Sequence, residues 1–146
     1  MAVAENKKAR RDYETLETYE AGIELSGIEV KSLRTRSTDL SGAYVSVRGG
    51  EAFVMNMTVS PYQPENTPEG YDPLRPRRLL LSKREIMKLA SIEAGKGLTI
   101  VPVKVYNKGP KLKLMLAVVR GKKQYDKRED IKKRQAERDI ERSLKE

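Results

Sequence analysis

The sequence contains no cysteine, no histidine and no tryptophan. Without Cys, disulfides, thiolate metal sites and cysteine nucleophiles are excluded together. Without His, the commonest general base and the commonest metal ligand are missing too. Lys, Tyr and carboxylate chemistry remain, but no two carboxylates stand out as a pair that could be tuned apart, and no cofactor or metal is expected. Long apolar runs are also lacking. None approaches the ~18 residues of a membrane span, and no basic-then-apolar leader opens the chain, so the expected location is cytoplasmic. A length of 146 residues suits one domain with extensions, large enough for a single core without staples.

What the chain has in excess is positive charge: 30 Lys and Arg against 21 Asp and Glu, a formal +9. The surplus sits in three places. Residues 1–13 carry +2, residues 71–89 carry +4 and residues 121–146 carry +3. Clustered cations imply a polyanionic partner, and ribosomal or transfer-type RNA is the commonest for a small domain.

The last of these segments, GKKQYDKREDIKKRQAERDIERSLKE, has high helix propensity and no Pro. Glu129/Lys133, Asp130/Arg134 and Glu141/Lys145 sit four apart in the favourable order, each pair contributing about 0.2–0.5 kcal/mol. Ala136, Ile140 and Leu144 form only a thin seam, with Ile131 well round the cylinder. The expectation is a tail, 121–146, that is disordered when free and helical on a polyanionic surface.

From Tyr13 to Leu25 the sequence alternates as a half-buried strand, broken only at Leu16 and Glu17. Ile28 to Arg34 suits a short helix. Ala43–Arg48 and Ala52–Val59 are strand-like runs around Gly49-Gly50-Glu51, a hairpin signal. Ser60–Pro76 holds five of the seven prolines and reads as a long irregular loop. Ser82-Lys83-Arg84-Glu85 is a capping box opening a helix that Gly95 ends. Leu98–Tyr106 and Lys111–Arg120 are two further strands around Asn107-Lys108-Gly109-Pro110, with Pro102 implying an edge or a bulge. About five strands with a helix between the third and fourth is the element order of a small closed β-barrel of the OB type, mainly β with peripheral short helices. The expected domains are 1–120, the RNA-binding barrel, and 121–146, the tail.

Gly95-Lys96-Gly97-Leu98-Thr99 lacks the phosphate-loop frame and precedes a strand where a helix is required. Asp72-Pro73-Leu74-Arg75-Pro76-Arg77-Arg78 places three guanidiniums on a stiffened loop before a capped helix, suited to bidentate phosphate contacts. Tyr125 has no core to join within the charged tail and reads as a contact for a base or RNA backbone.

Six ordered blocks carry a resemblance: Asn6-Lys7-Lys8-Ala9-Arg10-Arg11-Asp12-Tyr13, Glu17-Thr18-Tyr19-Glu20-Ala21-Gly22-Ile23, Glu29-Val30-Lys31-Ser32-Leu33-Arg34, Asp72 through Leu81, Lys96-Gly97-Leu98-Thr99, and Gly121 through Glu129. Together they resemble the SsrA-binding protein family, also called small protein B. The resemblance implies an OB-type barrel that grips the tRNA-like domain of transfer-messenger RNA. It implies a non-enzymatic monomer in trans-translation, the rescue of stalled ribosomes. Carried over by motif, the RNA surface includes Asn6, Lys7, Arg10, Tyr13, Glu20, Leu80 and Ser82, helped by Arg75, Arg77 and Arg78. Gly121, Lys122, Lys123, Tyr125, Asp126, Lys127 and Arg128 match the tail stretch that enters the decoding centre and the empty message channel. Arg11, Ser82 and Tyr125 stand where the family often has other residues: Arg11 keeps the basic charge, the Ser82 hydroxyl is committed as a helix cap, and Tyr125 keeps stacking without an imidazole contact. The competing readings are a ribosomal or initiation-factor-like OB protein, which RNA competition separates, and an RNA-modifying enzyme, which altered nucleotides would reveal.

Overall fold

The structure is a computed structural model, and it describes residues 2–35, 38–61 and 69–121. The tail residues Lys122, Lys123, Tyr125, Asp126, Lys127 and Arg128, and the middle of the proline loop, lie outside the described residues.

Ten elements follow in order: β1 Ala2–Glu5, α1 Lys7–Asp12, β2 Tyr13–Ile23, α2 Gly27–Thr35, β3 Tyr44–Arg48, β4 Glu51–Met55, β5 Arg77–Leu80, α3 Lys83–Ala94, β6 Thr99–Lys108 and β7 Lys111–Gly121. The strands form one antiparallel sheet, β1-β6-β7-β2-β5-β4-β3. The molecule is thus mainly β with a few short helices. The expected closed barrel is not formed by hydrogen bonds: β1 and β3 are open edges. The sheet curls until Cα atoms of β3 come within 8 Å of β6. The outer edge of β6, however, is already used by the N-terminal segment, through Ala4 opposite Val105, Glu5 opposite Lys104, and the Asn6 N–H donating to Val103 O at 2.7 Å.

Both irregularities in the strand pattern are bulges. Leu16 and Glu17 fall where the β2–β7 register shifts between Thr15 and Glu17. Pro102 falls where the β6–β7 register shifts between Pro102 and Lys104, at a bulge just beyond the stretch of β6 that pairs with β1. The β3–β4 hairpin turns at Gly49 and Gly50, with φ of 59° and 78°, the left-handed pair that a tight turn needs. β4 stops at Met55, short of the expected Val59, because Asn56 turns to φ 58°. β6 runs two residues further into the turn than expected, to Lys108, while β7 begins at Lys111 as expected, leaving only Gly109 and Pro110 between them.

The main core gathers Leu33, Leu40, Val54, Met57, Leu79, Leu89, Ile100, Leu114 and Leu116 inside the curl, with α3 closing one end through Leu89. A smaller cluster on the other sheet face, Ala9, Val101, Ala117 and Val119 with Tyr13 and Val103, seats α1. No buried side-chain polar atom among the described residues lacks a partner.

Candidate nucleic-acid interface

β2 sorts the sequence-predicted residues into two groups. Tyr13 stands at its start and Gly22 near its end, on the order of 30 Å away at ~3.3 Å per residue. Arg10, Tyr13 and Gly121 lie toward the first end, while Asn6 and Lys7 sit beside Val103, Lys104 and Met115, level with Glu20. Glu20, Leu80, Ser82, Arg75, Arg77 and Arg78 gather toward the other.

Asn6 caps α1, its Oδ1 accepting from the Ala9 N–H at 3.1 Å. Its Nδ2 donates to Leu40 O at 3.2 Å and Pro102 O at 2.9 Å, and the residue is 6 % exposed. Asn6 therefore ties the helix to a loop and to the β6 bulge. Lys7 beside it is exposed and lines a cavity of about 240 Å³ with Val103, Lys104 and Met115. Arg10 lies on the same helix, and Tyr13 is half-buried, pairing with Gly121 at the end of β7.

At the second end, Arg77 departs from expectation. Its side chain is wholly enclosed, Nε 2.6 Å from Glu29 Oε2, and its Nη atoms donate to Met57 O at 2.6 Å, Arg75 O at 3.2 Å and Pro73 O at 3.0 Å. A guanidinium so engaged has no face to offer a phosphate. Strand alternation is the cause: Arg77 and Leu79 point inward, Arg78 and Leu80 outward. Arg75 also bonds Glu29 and is partly exposed, while Arg78 is exposed, 3.4 Å from Glu24 and 3.3 Å from Glu51. Glu29 itself belongs to a second capping box: it accepts from the Ser26 N–H at 2.9 Å, and its own N–H donates to Ser26 Oγ at 3.3 Å.

Ser82 caps α3 as the sequence indicates, accepting from the Glu85 N–H at 3.2 Å and donating its hydroxyl to Glu85 Oε1 at 2.9 Å. Leu80 is 51 % exposed and pairs with Gly22 in the sheet.

The outward carboxylates of β2 each hold a cation: Glu14 with Arg120 at 2.8 Å, Glu17 with Lys88 at 3.4 Å and Glu20 with Lys108 at 2.8 Å. Tyr106 donates to the other Glu20 oxygen, and Lys104 stands 5.4 Å from the Tyr106 ring centre. Local pairing of this kind keeps the acidic strand from repelling a polyanion. Lys104 and Lys108, and likewise Lys111 and Lys113, were not singled out from sequence. The signal was available, because they occupy one set of alternate positions on β6 and β7. Among the described residues, no group of three His, Cys, Asp or Glu could hold a metal, and no helix is long and apolar enough to cross a membrane.

The model of the family described as SmpB protein matches residues 3–146. This chain belongs to the SmpB family. Among its relatives, the SsrA-binding protein of Chloroflexus aggregans is 52 % identical over 143 residues, covering 98 % of this chain and 90 % of the relative. The SsrA-binding protein of Lactiplantibacillus plantarum is 49 % identical over 144 residues, covering 99 % and 92 %. A solved SmpB-family structure described as "tmRNA-SmpB: a journey to the center of the bacterial ribosome" superposes with a TM-score of 0.69 at 45 % identity, covering 82 % of this chain and 84 % of that one.

Proposed function

We propose that this chain is a non-enzymatic RNA-binding adaptor: it binds the tRNA-like domain of transfer-messenger RNA and delivers it to stalled ribosomes for trans-translation. The observation that carries the reading is the family match through residue 146, which includes the whole basic segment after Gly121 as well as the β body. The solved relative associated with tmRNA and the bacterial ribosome supports the same partners.

In this reading, residues 1–120 are the RNA-gripping domain, an OB-type barrel in its chain path though open in its hydrogen bonding. Residues 121–146 form the tail, with Gly121, Lys122, Lys123, Tyr125, Asp126, Lys127 and Arg128 entering the decoding centre and the empty message channel. Lys7, Arg10, Tyr13, Glu20, Arg75, Arg78, Leu80 and Ser82 supply the RNA surface, while Asn6 and Arg77 hold it in shape from inside. The protein acts as a cytoplasmic monomer.

Cationic contacts release counterions, so affinity for the tRNA-like RNA falls steeply with salt; a flat dependence overturns the RNA reading. Deleting 122–146 leaves that affinity nearly intact and abolishes rescue of stalled ribosomes in a translation assay. Equal loss of both overturns the division of labour.

A further inference from the structure

A groove of about 330 Å³ runs between α2, the end of β2 and the β6–β7 turn, within the size range of ligand pockets. Its floor is apolar. Leu80 lies flat against β2 because Gly22 has no side chain there: a Cβ at Gly22 would stand 3.1 Å from the Leu80 Cβ. Leu25, Val30 and Leu112 continue that floor. The rim is basic, with Arg34 from α2 and Lys111 and Lys113 from β7. Arg34 donates to Pro110 O at 2.7 Å, which fixes the helix against the turn and sets the groove's width. Among the described residues neither Lys111 nor Lys113 makes a salt bridge, in contrast to the paired cations along β2.

We propose that this groove takes one unstacked nucleotide of single-stranded RNA, the base on the apolar floor and its flanking phosphates on Lys111, Lys113 and Arg34. A phosphate-only site would have no use for the apolar floor, and an apolar ligand none for the three rim cations; a nucleotide presents both faces at once. The proposal rests on the RNA-binding reading and deepens it by naming a subsite for an extruded base.

The test uses the full chain and the tRNA-like RNA. V30W plugs the floor without changing charge; K111E/K113E reverses the rim. V30W weakens binding about tenfold with the salt slope preserved, since it removes a base contact and no phosphate contact. K111E/K113E weakens binding and lowers the salt slope by about two. In the unaltered protein, RNA carrying 4-thiouridine in its unpaired loops crosslinks to the groove residues, a readout that stands even if V30W fails to fold. Tight wild-type binding with V30W unaffected, or with crosslinks only elsewhere, overturns the groove and leaves the RNA reading intact. Absence of wild-type binding overturns the RNA reading itself.

Discussion

Arg77 and Glu29 meet with both side chains at 0 % exposure, guanidinium Nε 2.6 Å from carboxylate Oε2. The pair joins the first turn of α2 to β5, and through Met57 O and Pro73 O it also holds both ends of the proline loop. Removing Arg77 takes away the buried partner of Glu29 and leaves the partly exposed Arg75 as its remaining cation. R77M therefore costs about 3–5 kcal/mol in urea unfolding, and the double variant E29Q/R77M costs less than the sum of the single changes. Any of these variants loses RNA affinity only in step with its loss of stability. A specific affinity loss at unchanged stability would restore Arg77 to the RNA surface.

The same carboxylate makes the fold acid-sensitive. Burial pushes Glu29 upward, but hydrogen bonds from Arg75, the Ser26 amide and Arg77 carry it below the ordinary value of 4.5. A folded value below the unfolded one contributes stability that is complete above 4.5 and is lost as pH falls through the lowered value. Denaturant midpoints measured from about pH 5 to pH 3 decline for the natural chain, and E29Q declines less steeply over that window.

Tyr106 titrates in the opposite direction. Burial, its hydrogen bond to Glu20 and the Glu20 charge push it up to about 12 from 10.0. The neutral phenol is thus favoured by the fold, so its contribution is complete below 10.0 and disappears as pH rises toward 12. Tyr19 and Tyr71 are raised as well, so ultraviolet titration shows Tyr106 within a late-ionising group, and E20Q moves it part of the way back while burial holds the remainder.

Ser82 distinguishes a cap from an RNA contact. S82A loses about 1 kcal/mol, the usual cost of removing an N-cap, whereas S82N retains most of it. If RNA affinity follows stability across the two variants, the hydroxyl acts through α3. Loss of affinity in S82N at preserved stability would make it a direct contact.

The parts of the fold legible in the sequence were those with a local signature: the β2 alternation, the Gly49-Gly50 turn, the Ser82-Glu85 box and the β6–β7 hairpin. β1 and α1 are four and six residues long, too short for any period to register, although Asn6 followed by charged residues is a cap signal in hindsight. β5 was hidden for a different reason. Its sequence, Arg-Arg-Leu-Leu, has no alternation of hydrophobicity, yet the strand alternates in burial, placing one arginine in the core and one leucine outside. Counting charge along the chain therefore could not show that Arg77 faces the core. The sheet stays open in its hydrogen bonding between β3 and β6, and part of the β6 edge, Lys104 to Tyr106, carries β1, a segment without a sequence signature.

β7 is laddered on both sides, by β6 from Thr99 opposite Val119 and by β2 as far as Tyr13 opposite Gly121. At Gly121 the ladder is with β2 alone, beside the C-terminal end of α1. A change at the end of α1 is therefore felt at the last rung of β7, and Tyr13 and Gly121 behave as one joint.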